Sequence, residues 1–525
     1  MKSKNWTLVA AVLGSSIVFL DSTVVNVALP RIGRDLHSSF LGVLEGQSYV
    51  YNGYLLTLSA LLILAGALND FYGRRRMFSL GLIGFGITSA LCGVAPTMET
   101  LIVFRVLQGV AGALLVPGSL ALITSTFEGE ERGRAFGIWA GASAATTIIG
   151  PFVGGLLVDT ISWRAVFLIN LPLVALALWA TLRHVQESRD VHATGRFDWL
   201  GAGVVALAVG GLTFGTIYGQ QREWRDAVGF IALAVGIVAT IALPFLMARR
   251  PNPLVPLDLF RSRNFSVTNI STFVIYGALY VTAYYIPILQ QGTLGYTAAA
   301  AGLALIPGTL FLVFFSERFG KLAGRYGPRW FMAIGPAIMG CGILWLLRLP
   351  VSSQAWGLDV SNPSTFIPPA SYLIDILPFS ILFGIGLMIM VAPLTTALMA
   401  SVPVEHSGLG SAINNAISRV GPQLAGALIF VAISASFYVN LAARAPGLNV
   451  NSAQVRTEIS PLNRPTVSLP PNQLAATRAA STDAFHLAML VAAALLFAGA
   501  LVNGAGIQQP TRIEVKAASP KPQAT

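Results

Sequence analysis

Gly66-Ala67-Leu68-Asn69-Asp70-Phe71-Tyr72-Gly73-Arg74-Arg75 is a charged, glycine-bounded stretch between two long apolar runs. The chain repeats its pattern as Gly320-Lys321-Leu322-Ala323-Gly324-Arg325-Tyr326-Gly327-Pro328-Arg329. A second pair agrees: Gly150-Pro151-Phe152-Val153-Gly154-Gly155 is echoed by Gly421-Pro422-Gln423-Leu424-Ala425-Gly426, and Gly137 matches Gly408 at the same separation. Around these landmarks lie fourteen apolar segments of roughly 20 residues, the length that crosses a bilayer core as a helix. They begin near Thr7, Gln47, Met77, Leu101, Arg134, Arg164, Trp199, Ala227, Phe265, Thr297, Trp330, Leu373, Gly410 and Ala484. The duplication places spans 1 to 6 and 9 to 14 in two related six-helix bundles, with spans 7 and 8 inserted between them. The expected fold is an all-α polytopic membrane protein. Residues 1–183 form the first bundle, 184–264 the inserted pair and its linkers, 265–504 the second bundle with an external loop at 440–483, and 505–525 a tail. Paired bundles around a midplane site are the architecture of alternating-access transporters.

Composition points the same way. Hydrophobic residues make up 54% of the 525 and charged residues 10%, against about 25% charged in an ordinary soluble domain, which excludes a water-soluble enzyme. Cys92 and Cys341 lie far apart inside apolar runs, so neither a disulfide framework nor a zinc site is indicated. The five histidines are scattered without ligand spacing, and no metal or cofactor is expected. The net charge of +11 fits cytoplasmic loops facing anionic lipid better than nucleic acid. Met1-Lys2-Ser3-Lys4 resembles the start of a signal peptide, but no small-residue cleavage site follows, so the first run is read as a retained helix.

With the N-terminus inside, the segments on the cytoplasmic side carry 20 Lys and Arg and the external segments 10. Both termini are therefore expected in the cytoplasm, in a cytoplasmic (inner) membrane. Two external connections are long, Pro350 to Tyr372 and Asn440 to Asp483, and the second shows no helical period; each is either an ordered cap or flexible. The last twenty residues read as a disordered tail.

The repeated motifs resemble those of the major facilitator superfamily, specifically its fourteen-span drug/proton antiporter branch, over nearly the whole chain. Leu20-Asp21-Ser22-Thr23-Val24-Val25-Asn26-Val27-Ala28-Leu29-Pro30 is similar to that branch's first-helix motif, and Gly66 to Arg75 to the superfamily's signature loop. Leu101 to Gly112, with Arg105, Gln108 and Gly109, is similar to the fourth-helix motif. Gly150-Pro151 with Gly154-Gly155 looks like the fifth-helix motif of exporters. Trp163-Arg164, Phe167, Ile169-Asn170 and Pro172, then Phe197-Asp198-Trp199-Leu200-Gly201, add matches to the branch. The resemblance implies a rocker between inward- and outward-open states, with Gly66, Asp70, Gly73, Arg74 and Arg75 as a conformational latch. It also implies that Arg105 assists proton movement. Phe71 stands where the family usually has a basic residue, and Gly324 replaces the acid in the second copy, so a one-sided latch is expected.

Ionisable groups inside a membrane are functional candidates by default. Of the 22 acidic residues, Asp21 and Glu317 fall within spans. A carboxyl there is held between its neutral form, favoured by desolvation, and its charged form, favoured by water or a cation, as a proton/substrate exchange site requires. The competing reading of Asp21 is a structural carboxylate bonded to Ser22, Thr23 or Asn26. Glu317, next to Arg318, is either a second coupling carboxylate or an interfacial side chain that snorkels. Arg105 is a partner for a carboxylate on a neighbouring helix, or a structural hub bonded to backbone carbonyls. Gly150, Pro151, Gly154 and Gly155 read as a hinge and helix seam. Phe273, Tyr276, Tyr280 and Tyr284 share one face of span 9, as a cavity lining for lipophilic cations or as packing. Asn26, Asn414, Asn415 and Arg419 complete the candidate cavity.

Energetics bears on the substrate. Exchanging one proton for one monocation is electroneutral, so a pH unit supplies only ~1.4 kcal/mol. A neutral substrate also draws ~2.3 kcal/mol per 100 mV from the potential. Strong export of a monocation thus needs two protons, which is why Glu317 matters beside Asp21. The function expected is proton-coupled export of hydrophobic drug-like or natural-product molecules, cations included, with a dedicated exporter of one endogenous metabolite as the alternative. No nucleophile or metal cluster suggests an enzyme. A periplasmic adaptor is a candidate partner.

Overall fold

The computed structural model describes residues 3–36, 43–189, 197–221, 226–358, 362–465 and 467–509. The expected tail from Pro510 onward and the loop cations Arg196, Arg222 and Arg225 lie outside the described residues. Among these the chain is helical, without a strand. Fourteen helices are long and apolar enough to cross a membrane. In the first half they are spans 1 (Lys4–Leu29), 2 (Tyr49–Tyr72), 3 (Arg74–Gly93), 4 (Met98–Thr126), 5 (Gly129–Val158) and 6 (Ala165–His184). The inserted pair is span 7 (Trp199–Gly219) and span 8 (Ala227–Ala248). The second half holds spans 9 (Arg263–Gly292), 10 (Ala300–Tyr326), 11 (Arg329–Arg348), 12 (Leu377–Ala400), 13 (Val404–Arg444) and 14 (Pro471–Gly506).

Span 14 departs most from its expected start, beginning at Pro471 rather than Ala484. The extra turns are too polar for a bilayer, but Ala476, Thr477, Ala480, Ser481 and Thr482 are buried against protein. The connection before it is an ordered cap. Ser452 caps a six-residue helix, Ala453–Glu458, too short to show a period in sequence. Ile459 and Leu462 are buried, and the Leu462 carbonyl accepts from Thr293 Oγ1 at 3.0 Å. In the Pro350 to Tyr372 connection, Trp356 Nε1 donates to the Thr365 carbonyl at 2.9 Å.

The duplication is visible in packing. Gly150 and Gly154 of span 5 lie against Thr23 and Val24 of span 1, as Gly421 of span 13 lies against Phe273 of span 9. Small residues let these helices approach closely. Gly73 and Gly327 end the two signature turns at φ 106° and 87°, a backbone region that glycine enters at little cost. Span 7 packs on span 8 through Gly211, Gly215, Gly229 and Gly236, and its other side lies across spans 2 and 13, bridging the seam between the bundles.

The bundles are joined at one end. On the face that carries the turns at Gly73 and Gly327, a shared apolar core draws Leu398, Met399, Leu409, Ile413 and Ala416 of the second half onto the first. The other two cores each stay within one half. The hydrogen bonds and ion pairs that Asp70, Arg74, Arg134 and Glu130 make with the second half lie on this joined face. The molecule is closed there.

Candidate functional site

Asp21 is fully buried within the first bundle. Its Oδ2 accepts from Arg105 Nη1 at 2.5 Å, and its Oδ1 accepts from Gln108 Nε2 at 3.0 Å and Asn170 Nδ2 at 3.1 Å. Arg105 reaches it from span 4, donates from Nε to the Val50 carbonyl at 3.2 Å, and lies 4.1 Å from the centre of the Tyr54 ring. Nη2 of Arg105 is buried with no hydrogen-bond partner in the structure. Asn170 also donates to Ser89 Oγ, which donates onward to the Phe167 carbonyl. The sequence thus named both members of the ion pair, while Gln108 and Asn170 were visible only as motif letters. Gln108 follows Arg105 by three residues, a spacing that puts the two on one helical face. The expected local partners of Asp21 do otherwise: Ser22 donates to the Val18 carbonyl, Thr23 to the Phe19 and Leu20 carbonyls, and Asn26 is exposed.

The latch brings Asp70 to the start of span 13. Its carboxylate accepts from the Gly408 and Leu409 amides at 3.1 and 2.8 Å and from Arg74 Nη2 at 3.0 Å, while Arg74 also donates to the Val404 carbonyl. A carboxylate at a helix N-terminus satisfies free amides and meets the positive end of the helix dipole. Gly66 leaves room for Gly408 and Ala412. Arg75 turns away to the Leu182 carbonyl, and its amide and that of Arg76 are capped by Glu187, a residue the sequence did not single out. Phe71, the departure from the family pattern, packs against Phe197 with ring centres 5.5 Å apart, anchoring the linker into span 7.

The second copy is built differently. Gly320 lies against Gly133, and Gly324 against Gly129 and Glu130, so the missing acid stands where the two backbones nearly touch. Charge reappears at the edges, where Lys321 pairs with Glu130 at 3.2 Å and Arg134 with Glu317 at 2.6 Å. Glu317 therefore sits on the joined face, 45% exposed and ion-paired across the halves, and is not among the groups bonded to Asp21. Because exposed pairs are screened, Glu317→Gln is expected to weaken closure by at most ~1 kcal/mol. It should leave the number of protons exchanged per substrate unchanged, measured by pH-electrode and tracer flux on the same vesicles.

The remaining candidates divide. Asn414 is buried and donates to Asn269 Oδ1 and Thr272 Oγ1, a tie between spans 13 and 9. Asn415 bonds its own helix at Ser411. Tyr276 is partly buried, whereas Tyr280 and Tyr284 stack with planes 7° apart and, with Tyr285, Gly426 and Phe430, line an open pocket of about 100 Å³. Arg419 lies within electrostatic reach of Tyr51 and Tyr54 across the bundle boundary, and Tyr51 within reach of Tyr280.

A model of the Major Facilitator Superfamily matches residues 11–426. The chain belongs to that superfamily. It is a multi-pass membrane transporter and not an enzyme. It is 34% identical over 428 residues to the multidrug resistance protein Stp of Mycobacterium tuberculosis, covering 81% of this chain and 74% of the relative. It is 33% identical over 438 residues to the tetracenomycin C resistance and export protein of Streptomyces glaucescens, covering 82% and 76%. Its fold is similar to that of the proton:xylose symporter XylE, with TM-score 0.56, 14% identity and coverage of 95% of this chain and 94% of that one. Fourteen spans and relatives named for drug resistance agree with the superfamily's fourteen-span drug-efflux branch.

Proposed function

We propose that this transporter exports hydrophobic drug-like or natural-product molecules across the cytoplasmic membrane in exchange for protons, with both termini inside. The observation that carries the coupling is Asp21, a fully buried carboxylate on a single arginine counter-ion. Protonation neutralises it and leaves Arg105 a buried charge without an anion, a state the first bundle relieves only by rearranging. The relatives' names support export of antibiotics. With the joined face cytoplasmic, the Asp70 cap on span 13 is what holds the cytoplasmic end shut.

The test is accumulation of a fluorescent tricyclic aromatic probe by everted vesicles whose lumen is acidified. Accumulation that collapses on adding an ionophore exchanging protons for potassium supports the proposal. Accumulation insensitive to that ionophore removes proton coupling, and a chain that moves one metabolite but no aromatic probe is a dedicated exporter.

A further inference from the structure

Among the described residues Arg419 is a charge without a counter-ion. Among the described residues it makes no hydrogen bond and no ion pair, and the two buried carboxylates inside the spans, Asp21 and Asp70, are each taken by another arginine. It stands on span 13 at the boundary between the halves, only partly buried, with Tyr51 and Tyr54 of span 2 opposite. Tyr51 links it to Tyr280, and so to the stacked pair Tyr280 and Tyr284, whose ring centres are 5.7 Å apart. Arg105, which also faces Tyr51 and Tyr54, already has Asp21. The cleft therefore offers one unspent positive charge beside flat aromatic surfaces.

We infer that Arg419 selects substrate by charge, holding the carboxylate or phenolate of an acidic polycyclic aromatic molecule whose rings lie on Tyr280 and Tyr284, and turning cations away. This rests on the reading of the chain as an exporter, and it reverses the lipophilic-cation expectation drawn from the tyrosine stripe alone. Like charges about 6 Å apart at an effective dielectric of about 20 repel enough to change affinity about a hundredfold, and an acid gains in the same measure. The choice also removes the energetic difficulty of a single coupling carboxylate, because an inside-negative potential itself drives an anion outward.

Three anthracenes of one shape and different charge decide the matter: anthracene-2-carboxylate, its neutral methanol and its methylammonium counterpart. Binding is read by fluorescence anisotropy on the full chain in nanodiscs, and movement in everted vesicles. The wild type is expected to bind the carboxylate at least tenfold tighter than the ammonium. Arg419→Gln should lose about a hundredfold for the carboxylate and gain for the ammonium, and Arg419→Lys should restore the wild-type order. Equal affinities on the wild type, or an unchanged order in Arg419→Gln, overturn the charge selector even where the vesicles pump. If Arg419→Gln does not fold, the wild-type order of the three probes decides alone. Carboxylate selectivity without movement under any gradient overturns the exporter reading and leaves the role of Arg419 standing.

Discussion

Asp70→Ala is expected to shift the molecule from the closed joined face toward its open form by at least a hundredfold in population. Asp70 and Arg74 belong to the same half, so their ion pair alone does not tie the bundles. The tie is what closure does to them: it places Asp70 on the Gly408 and Leu409 amides and leaves Arg74 only 2% exposed beneath the Val404 carbonyl. With alanine at 70, closing buries an uncompensated guanidinium, which costs about 3–5 kcal/mol, and strips the cap from span 13, about 1 kcal/mol more. Opening lets water reach both. Arg74→Ala should act in the same direction but less, since two backbone amides still hold the Asp70 carboxylate. Spin labels at Ser125→Cys and Leu322→Cys, on opposite halves, should give one short distance in the wild type and a longer, broad one in Asp70→Ala. A single short distance in both proteins would sink the latch as the element that holds the closed state.

The fold was legible in the sequence because two periodic signals coincide: apolar runs of bilayer length, and landmarks that recur at matched separations. Asp21 and Arg105 were legible as a possible pair because charge is rare in a span, and each has to answer to something. Their partners Gln108 and Asn170 were not, since amides are too common in helices to announce a site. Glu187 lay hidden for a different reason. It acts from a linker onto a turn distant in sequence, and linker residues carry no period. Glu317 lies within span 10, as hydropathy has it, but on the joined face, where it is 45% exposed and paired with Arg134, which hydropathy does not show. Gly324 read as the loss of a charge, whereas its backbone is a contact surface. Arg419 was visible as a cation in a span, but that no acid answers it is a fact of three dimensions.

Asp21→Asn is expected to abolish gradient-driven export, a loss of at least a hundredfold, and the loss must be separated from damage to the bundle. Removing one partner of a buried pair leaves the other uncompensated, here Arg105 with no solvent exposure and one nitrogen already unbonded, at about 3–5 kcal/mol. The single variant should therefore melt well below the wild type, and lost transport alone would say little. Asp21→Asn combined with Arg105→Gln removes both charges and leaves amides able to hydrogen-bond, so most of that stability should return. A neutral site has no proton to give. The double variant should still exchange labelled for unlabelled probe across a membrane without a gradient, which needs only rocking, yet fail to concentrate it when the vesicle lumen is acidified. If it concentrates the probe as the wild type does, the proton is carried elsewhere and Asp21 is a structural anion. If it neither exchanges nor concentrates although it melts near the wild-type temperature, the ion pair serves the rocking motion itself and not proton coupling.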